Sequence, residues 1–142
     1  MTFRKATQAD AAAIAQMEKR YIECPWSENV VRQTLADELS TIYLLCEGEK
    51  VIGYGGLKMV LDTAEIYNIA VHEEHRRKGC ATEILQKLLA HAVVHGGKEV
   101  FLEVNENNVA ACKLYMAHGF KISHMRKNYY TNGHALILRL EI

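Results

Sequence analysis

The chain has 142 residues, enough for one domain over residues 1–142 and too few for two independent cores. Hydrophobic residues make up 49% and charged ones 24%, which excludes wholesale disorder. Lysine plus arginine balances aspartate plus glutamate, 17 against 17, so no global field draws the chain onto nucleic acid or a membrane, and any anion must be held by local geometry.

A first strand is predicted over 2–6, with no apolar signal core at the N-terminus. Thr7 three residues before Asp10 has the spacing of a capping box and opens a helix over about 10–23. Pro25, the single proline, breaks the chain, and Ser27 caps a second helix with Val30, Val31, Leu35 and Leu39 on one side. Strands follow over Ile42–Glu47, Val51–Val60 and Ala64–Val71, the first two joined by a turn containing Gly48. From Gly79 to Val94 the apolar period becomes helical, through Ile84, Leu85, Leu88, Leu89, Ala92 and Val93, and Gly96-Gly97 ends it. A strand over Val100–Val104 precedes a helix capped by Asn108 and stopped at Gly119. Two strands around Asn132-Gly133 close the chain as a hairpin. The order β-α-α-β-β-β-α-β-α-β-β predicts a mixed α/β fold, a sheet with helices on its faces.

No window holds the roughly 18 apolar residues of a membrane span. Cys24, Cys46, Cys80 and Cys112 form no C-x-x-C pair and read as free thiols, small buried apolar residues in a reducing compartment. A cytoplasmic location is therefore expected. His91 and His95 stand at i, i+4 near a helix end, where solvation and the helix dipole explain them more simply than a metal; no metal site is expected.

Three features carry possible chemistry. Between a strand and a helix lies His75-Arg76-Arg77-Lys78-Gly79-Cys80-Ala81-Thr82, a basic turn that feeds a helix N-terminus. Such a turn aims free backbone N–H groups and the positive helix end into one concavity, which suits a phosphate; a plain helix start with a solvated loop is the alternative. Glu103 sits on a strand of apolar residues, on the same face as Phe101. A carboxylate in apolar surroundings holds a proton more readily, as a general base needs, whereas a strand-end glutamate facing water is the plainer reading. Asn108, Ala111 and Tyr115 share one face of the next helix, where a tyrosine also serves as a core packer. Trp26, Tyr129 and Tyr130 are candidate binding-surface aromatics.

In this order these pieces resemble the GNAT superfamily of acetyltransferases over essentially the whole chain. Arg76-Arg77-Lys78-Gly79-Cys80-Ala81 matches the superfamily's [QR]-x-x-G-x-[GA] motif. More narrowly, Pro25-Trp26-Ser27, Glu65–Val71, Leu102-Glu103-Val104, Asn107–Ala111, Leu114-Tyr115, Gly119-Phe120 and Asn128-Tyr129-Tyr130 resemble its bacterial branch that acetylates the N-terminal alanine of a small-subunit ribosomal protein. The resemblance implies a largely antiparallel mixed sheet of about seven strands with about four helices. It implies acetyl-CoA as cosubstrate and direct attack by the amine in a ternary complex. It further implies that Ile69, Ala70 and Val71 contact acetyl-CoA through main chain, that Arg77, Lys78, Gly79, Cys80, Ala81 and Thr82 cradle its pyrophosphate, and that Asn108 touches it too. Glu103 becomes the general base and Tyr115 the general acid. The implied partner is a protein N-terminus, with no direct nucleic acid. Asn105 stands where relatives often carry arginine, and Thr131–Ala135 lacks their acidic pair before the last strand, so acceptor choice stays open among a protein N-terminus, a small amine and a lysine side chain. A non-catalytic coenzyme A-binding module is the remaining alternative.

Overall fold

The computed structural model describes all residues, Met1 to Ile142, and begins with a short edge strand, β1 (Thr2–Lys5). A 3-10 turn over Gln8–Asp10 leads into α1 (Ala11–Tyr21). Asp10 accepts the Thr7 amide at 2.8 Å, the acidic half of the predicted cap, and Arg4 grips the same carboxylate through two N–H groups at 2.8 and 2.9 Å. That pairing holds the Asp10 carboxyl down at about 2. Ser27 caps α2 (Glu28–Ala36) by accepting the Val30 amide at 3.2 Å. This helix is shorter than its apolar pattern suggested. Leu39 lies beyond its end and, like Val30, is exposed, so only Val31 is fully buried.

The sheet is then built by β2 (Ser40–Glu47), β3 (Lys50–Val60), β4 (Thr63–Val71), β5 (Glu99–Asn105), β6 (Lys121–Tyr130) and β7 (Gly133–Glu141) in the order β1-β2-β3-β4-β5-β7-β6. Only β4 and β5 run parallel, and the helix α3 (Cys80–Val94) makes the crossover that parallel neighbours require. The last helix, α4 (Val109–Ala117), joins β5 to β6. Seven strands and four helices agree with the expected architecture. No helix is long and apolar enough to cross a membrane.

Strand alternation divides the core into two layers. Ile42, Leu44 and Cys46 of β2 face α1 and α2, packing on Ala11, Ile14, Met17 and Val31. Tyr43 and Leu45 face the other way, toward Ile84, Leu85, Leu88 and Ala92 of α3. Val93, assigned by period to that stripe, is exposed. The approach of α3 to β3 is close because β3 carries glycines: a Cβ on Gly55 would stand 2.5 Å from Ile84 Cγ2, and one on Gly53 3.0 Å from Ile84 Cδ1. This seats the start of α3 beside the end of β4.

His91 departs from expectation. It is buried rather than solvated, its Nδ1 lies 2.8 Å from the Tyr43 hydroxyl, and its ring stacks on His95 with centroids 4.0 Å apart. Burial pushes it down to about 4, so at neutral pH it is an uncharged core residue and no cation for the helix dipole.

Candidate active site

A parallel pair that stops pairing opens a gap. β4 and β5 share register only from Thr63–Glu65 against Glu99–Phe101, although β4 runs on to Val71 and β5 to Asn105. Beyond that point the strands diverge around a cleft of about 840 Å³. Its walls include Glu65–Ile69 of β4, Glu103–Asn105 of β5, Asn108, Ala111 and Tyr115 from the start and face of α4, Trp26 before α2, and Tyr129 and Tyr130 at the end of β6. The two catalytic candidates, the aromatic candidates, Ile69 and Asn108 are thus brought together. Residues Ala70, Val71 and Arg77–Thr82 lie outside this enclosed part, around the start of α3.

On its other edge β4 pairs with β3, and the register slips: Gly55 faces Ile69 and Leu57 faces Ile66, so Tyr67 and Asn68 bulge against Gly56 alone. The bulge turns β4 main chain toward the cleft where β5 no longer pairs with it. A strand edge of this kind offers N–H and C=O groups to an extended ligand.

The phosphate candidate has the necessary geometry. Arg77 (φ +62°) and Gly79 (φ +82°) are both left-handed, and the first bond of α3 runs from the Glu83 amide to the Gly79 carbonyl at 3.0 Å. The amides of Cys80, Ala81 and Thr82 therefore have no partner within the helix, and no side chain caps them. Gly79 has nothing within 4 Å of where its Cβ would lie, so its need for glycine is the backbone angle and not crowding. Cys80 turns its thiol into the core, where burial pushes it up and keeps it protonated, while its amide stays at the helix start. Arg76 is held by a bond to the Val71 carbonyl at 3.1 Å and by the Tyr21 ring 4.7 Å beneath it; Arg77 and Lys78 are exposed.

Glu103 is more open than an apolar strand suggests. It accepts from the Tyr130 hydroxyl at 3.2 Å and from Arg126 at 3.4 Å, and its side chain keeps 30% of its surface exposed. A bulge makes the first contact possible: Lys127, Asn128 and Tyr129 stand against His134 alone, and Asn128 takes φ +53° there. Burial and the Glu103 carboxylate both push the Tyr130 phenol up, so it acts as the donor of that pair. Tyr129 is exposed, its ring edge-on to Tyr130 at 5.1 Å.

Tyr115 is 7% exposed and packs edge-on against Phe120 with centroids 5.8 Å apart. Burial pushes its phenol up to about 12. Its hydroxyl has no partner in the chain, and the cleft is where it emerges. Core packer and cleft residue prove to be one side chain seen from two ends. Asn108 caps α4 through the Ala111 amide at 3.2 Å. Trp26 meets Tyr67 edge-on at 5.0 Å.

Several cleft residues escaped the sequence reading. Asn105, marked only as a departure from arginine, is buried and donates to Glu23 at 3.0 Å and to Asn132 at 2.7 Å while accepting the Asn107 amide at 3.0 Å. It joins the segment before α2, the end of β5 and the β6–β7 turn. Glu18 is wholly buried beneath the cleft, bonded to Trp26, Tyr54 and Asn68. A carboxylate four residues after Ile14, on the apolar side of α1, was the available signal. Cys24, expected to be buried, is exposed in the cleft; all four thiols are free. No group of three or more His, Cys, Asp or Glu side chains converges as a metal site would require.

The profile of the acetyltransferase (GNAT) family matches residues 9–120, which includes the diverging strands, the α3 start and Tyr115. The chain belongs to that family. It is an N-acetyltransferase. It is similar to the [ribosomal protein bS18]-alanine N-acetyltransferase of Escherichia coli K12, with 32% identity over 99% of this chain and 97% of that one. The crystal structure of the ribosomal-protein-S18-alanine N-acetyltransferase from Escherichia coli superposes with a TM-score of 0.92 at 31% identity, covering 99% of this chain and 93% of that chain. Arabidopsis thaliana NAA60 in complex with acetyl-CoA shares the fold, with a TM-score of 0.88, 16% identity and coverage of 99% and 98%.

Proposed function

We propose that this acetyltransferase, one catalytic domain over residues 1–142, transfers the acetyl group of acetyl-CoA to the N-terminal alanine of a small-subunit ribosomal protein. The observation that carries this is full-length similarity to enzymes named for that reaction, joined to a cleft that holds Glu103 and Tyr115 with aromatic walls. The acceptor chemistry agrees. A protein α-amine has a pKa of about 8 against about 10.4 for lysine, so its neutral, attacking form is far more abundant at pH 7. The four free thiols suit the cytoplasm, where ribosomal proteins are made.

The residues present fit the donor: three unpaired amides at Cys80–Thr82 beside Arg77 and Lys78 for the pyrophosphate, the edge of β4 at Ile69–Val71 that β5 leaves free for the pantetheine arm, and Asn108 at the start of α4. Bound there, acetyl-CoA supplies the acyl group as a thioester. Glu103, directly or through a water, takes the proton that the amine must lose as its nitrogen bonds to the carbonyl carbon. The β4 amides hold the oxygen on which charge develops. Tyr115, whose hydroxyl opens on the same cleft, would assist the departing sulfur. A phenol at about 12 outranks a thiol of about 8.5, so Tyr115 serves by donating a hydrogen bond and guiding the final proton onto sulfur more than by free ionisation. No residue is acylated.

The test is incubation with acetyl-CoA and peptides that begin with alanine, set beside the same peptides blocked at the N-terminus but bearing lysine, and a set of small amines. Thiol release with one acetyl added to the free N-terminus is expected. Release with lysine or small amines and none with the free N-terminus overturns the acceptor assignment.

A further inference from the structure

Glu18 sits within α1 with no surface exposed. Donors surround its carboxylate. The Trp26 amide donates to Oε1 at 2.9 Å, the Asn68 side-chain nitrogen lies 3.1 Å from each oxygen, and the Tyr54 hydroxyl donates to Oε2. None of these partners is a cation, and burial pushes the carboxyl above the usual range. For stability alone, a well-packed apolar side chain would serve as well or better at such a place. What the carboxylate provides is a fixed relation among four elements. Two of its partners belong to the cleft wall: Trp26, in the segment that enters α2, and Asn68, one of the two bulge residues of β4.

We propose that Glu18 is a positioning residue for acetyl transfer, which grips Asn68 and the Trp26 amide together and so fixes the β4 bulge against the acceptor side of the cleft. The bulge needs such an anchor. Tyr67 and Asn68 have no partner on β5 and share a single residue, Gly56, on β3. Tyr67 is tied by its hydroxyl to Ser40 Oγ at 2.9 Å; Asn68 is tied by Glu18. With that second tie cut, the bulge at Tyr67 and Asn68 loses its hold on α1 and the cleft-facing edge of β4 shifts, although Ile69–Val71 remain paired with β3; misplacement of about 1 Å at a reacting centre costs about 10²-fold in rate. The pyrophosphate loop is seated separately, through α3 on Gly53 and Gly55.

The inference rests on the acetyl-transfer reading above, and its test is arranged so that the two fail separately. Glu18→Ala, Glu18→Gln and Asn68→Ala are compared with wild type for kcat, acceptor KM, coenzyme A affinity by calorimetry, and amide exchange of the coenzyme-bound protein. Glutamine keeps one oxygen for the Trp26 amide and Asn68 but sets its own NH2 against one of the two positions to which the Asn68 nitrogen donates, so Glu18→Gln is expected to fall between wild type and Glu18→Ala. Glu18→Ala and Asn68→Ala are expected to lower kcat by roughly tenfold or more with coenzyme affinity unchanged, and to speed exchange at Tyr67–Val71 without change in α3. Wild-type kcat and exchange in a folded Glu18→Ala overturns the proposal, as does a parallel loss of coenzyme binding. Should Glu18→Ala not fold, Asn68→Ala decides by the same readings. A wild-type protein that binds coenzyme A and acetylates nothing defeats the functional reading, and exchange at Tyr67–Val71 still decides the role of Glu18.

Discussion

Tyr115 and Glu103 line one cleft under opposite conditions. The tyrosine is enclosed, packed on Phe120, and held neutral by burial, so it always has a hydrogen to donate. The glutamate is open to water and already accepts two hydrogen bonds, from Tyr130 and Arg126. An exposed carboxylate exchanges protons with solvent freely, which a base needs if it is to reset after each turnover. Glu103→Gln is expected to lower kcat by about 10²-fold or more, and Tyr115→Phe by about tenfold or more, because the tyrosine assists a thiolate that already leaves well. Steady-state kinetics with calorimetric coenzyme A binding checks both, and binding should persist in each. Tyr130→Phe removes only one of the two bonds on Glu103, so a several-fold loss of kcat is expected, smaller than that of Glu103→Gln; a loss as great as Glu103→Gln would make Tyr130 a reacting group in its own right. Arg126 is different. Its pair with Glu103 is half exposed at 3.4 Å, and pairs of that kind contribute about 0–1 kcal/mol.

Two glycines show how the elements divide the labour. Gly79 occupies an angle that suits glycine in open space, whereas Gly55 has little room for a side chain because α3 lies against β3. Gly79→Ala is therefore expected to strain the turn by about 1 kcal/mol and weaken coenzyme A binding several-fold with little loss of Tm. Gly55→Ala is expected to lower Tm by several degrees through overpacking on Ile84, with coenzyme affinity following only as the fold fails. Calorimetry and thermal unfolding on both variants would show the two effects exchanged if the assignment is wrong. The same contrast marks what the sequence could tell. Caps at Ser27 and Asn108, the turn at Gly79 that opens α3 and the alternation in β5 are decided within a few residues, and each was legible. The divergence of β4 from β5, the three-against-one bulge at Tyr129 and the ties of Glu18 to residues 36 and 50 positions away depend on packing between distant segments. Asn105 makes the same point: its bond to Glu23 spans 82 positions, and nothing local announces it. The shortened α2 failed for a related reason, since the apolar spacing to Leu39 continued where the backbone had already turned at Asp37 to enter β2.

Across the whole molecule, the groups that govern acid stability lie away from the cleft. His91 joins α3 to β2 through Tyr43, and burial, with His95, Lys5 and Lys87 nearby, holds it down at about 4 against an ordinary 6.5. Between those values the unfolded chain carries a proton that the native chain refuses, so acidification favours unfolding. The stability His91 contributes is fully present above about pH 6.5 and is lost as pH falls toward about 4. Asp10, held at about 2 by Arg4, adds its own loss only below its ordinary 3.8, so the two windows are separate. Glu18 acts in the opposite sense: its raised carboxyl binds a proton in the native state that the unfolded chain has released, and its contribution weakens as pH rises above 4.5. The wild-type curve therefore sums opposing terms, and a variant is needed to isolate one. Glutamine at position 91 can still bond Tyr43 but cannot titrate. Tm of wild type and His91→Gln should run parallel above pH 7 and converge between pH 6.5 and 4, because only the wild type loses stability by protonating this ring. Parallel curves throughout that interval would mean that His91 accepts its proton in the folded protein without cost, and that its bond to Tyr43 tolerates the imidazolium.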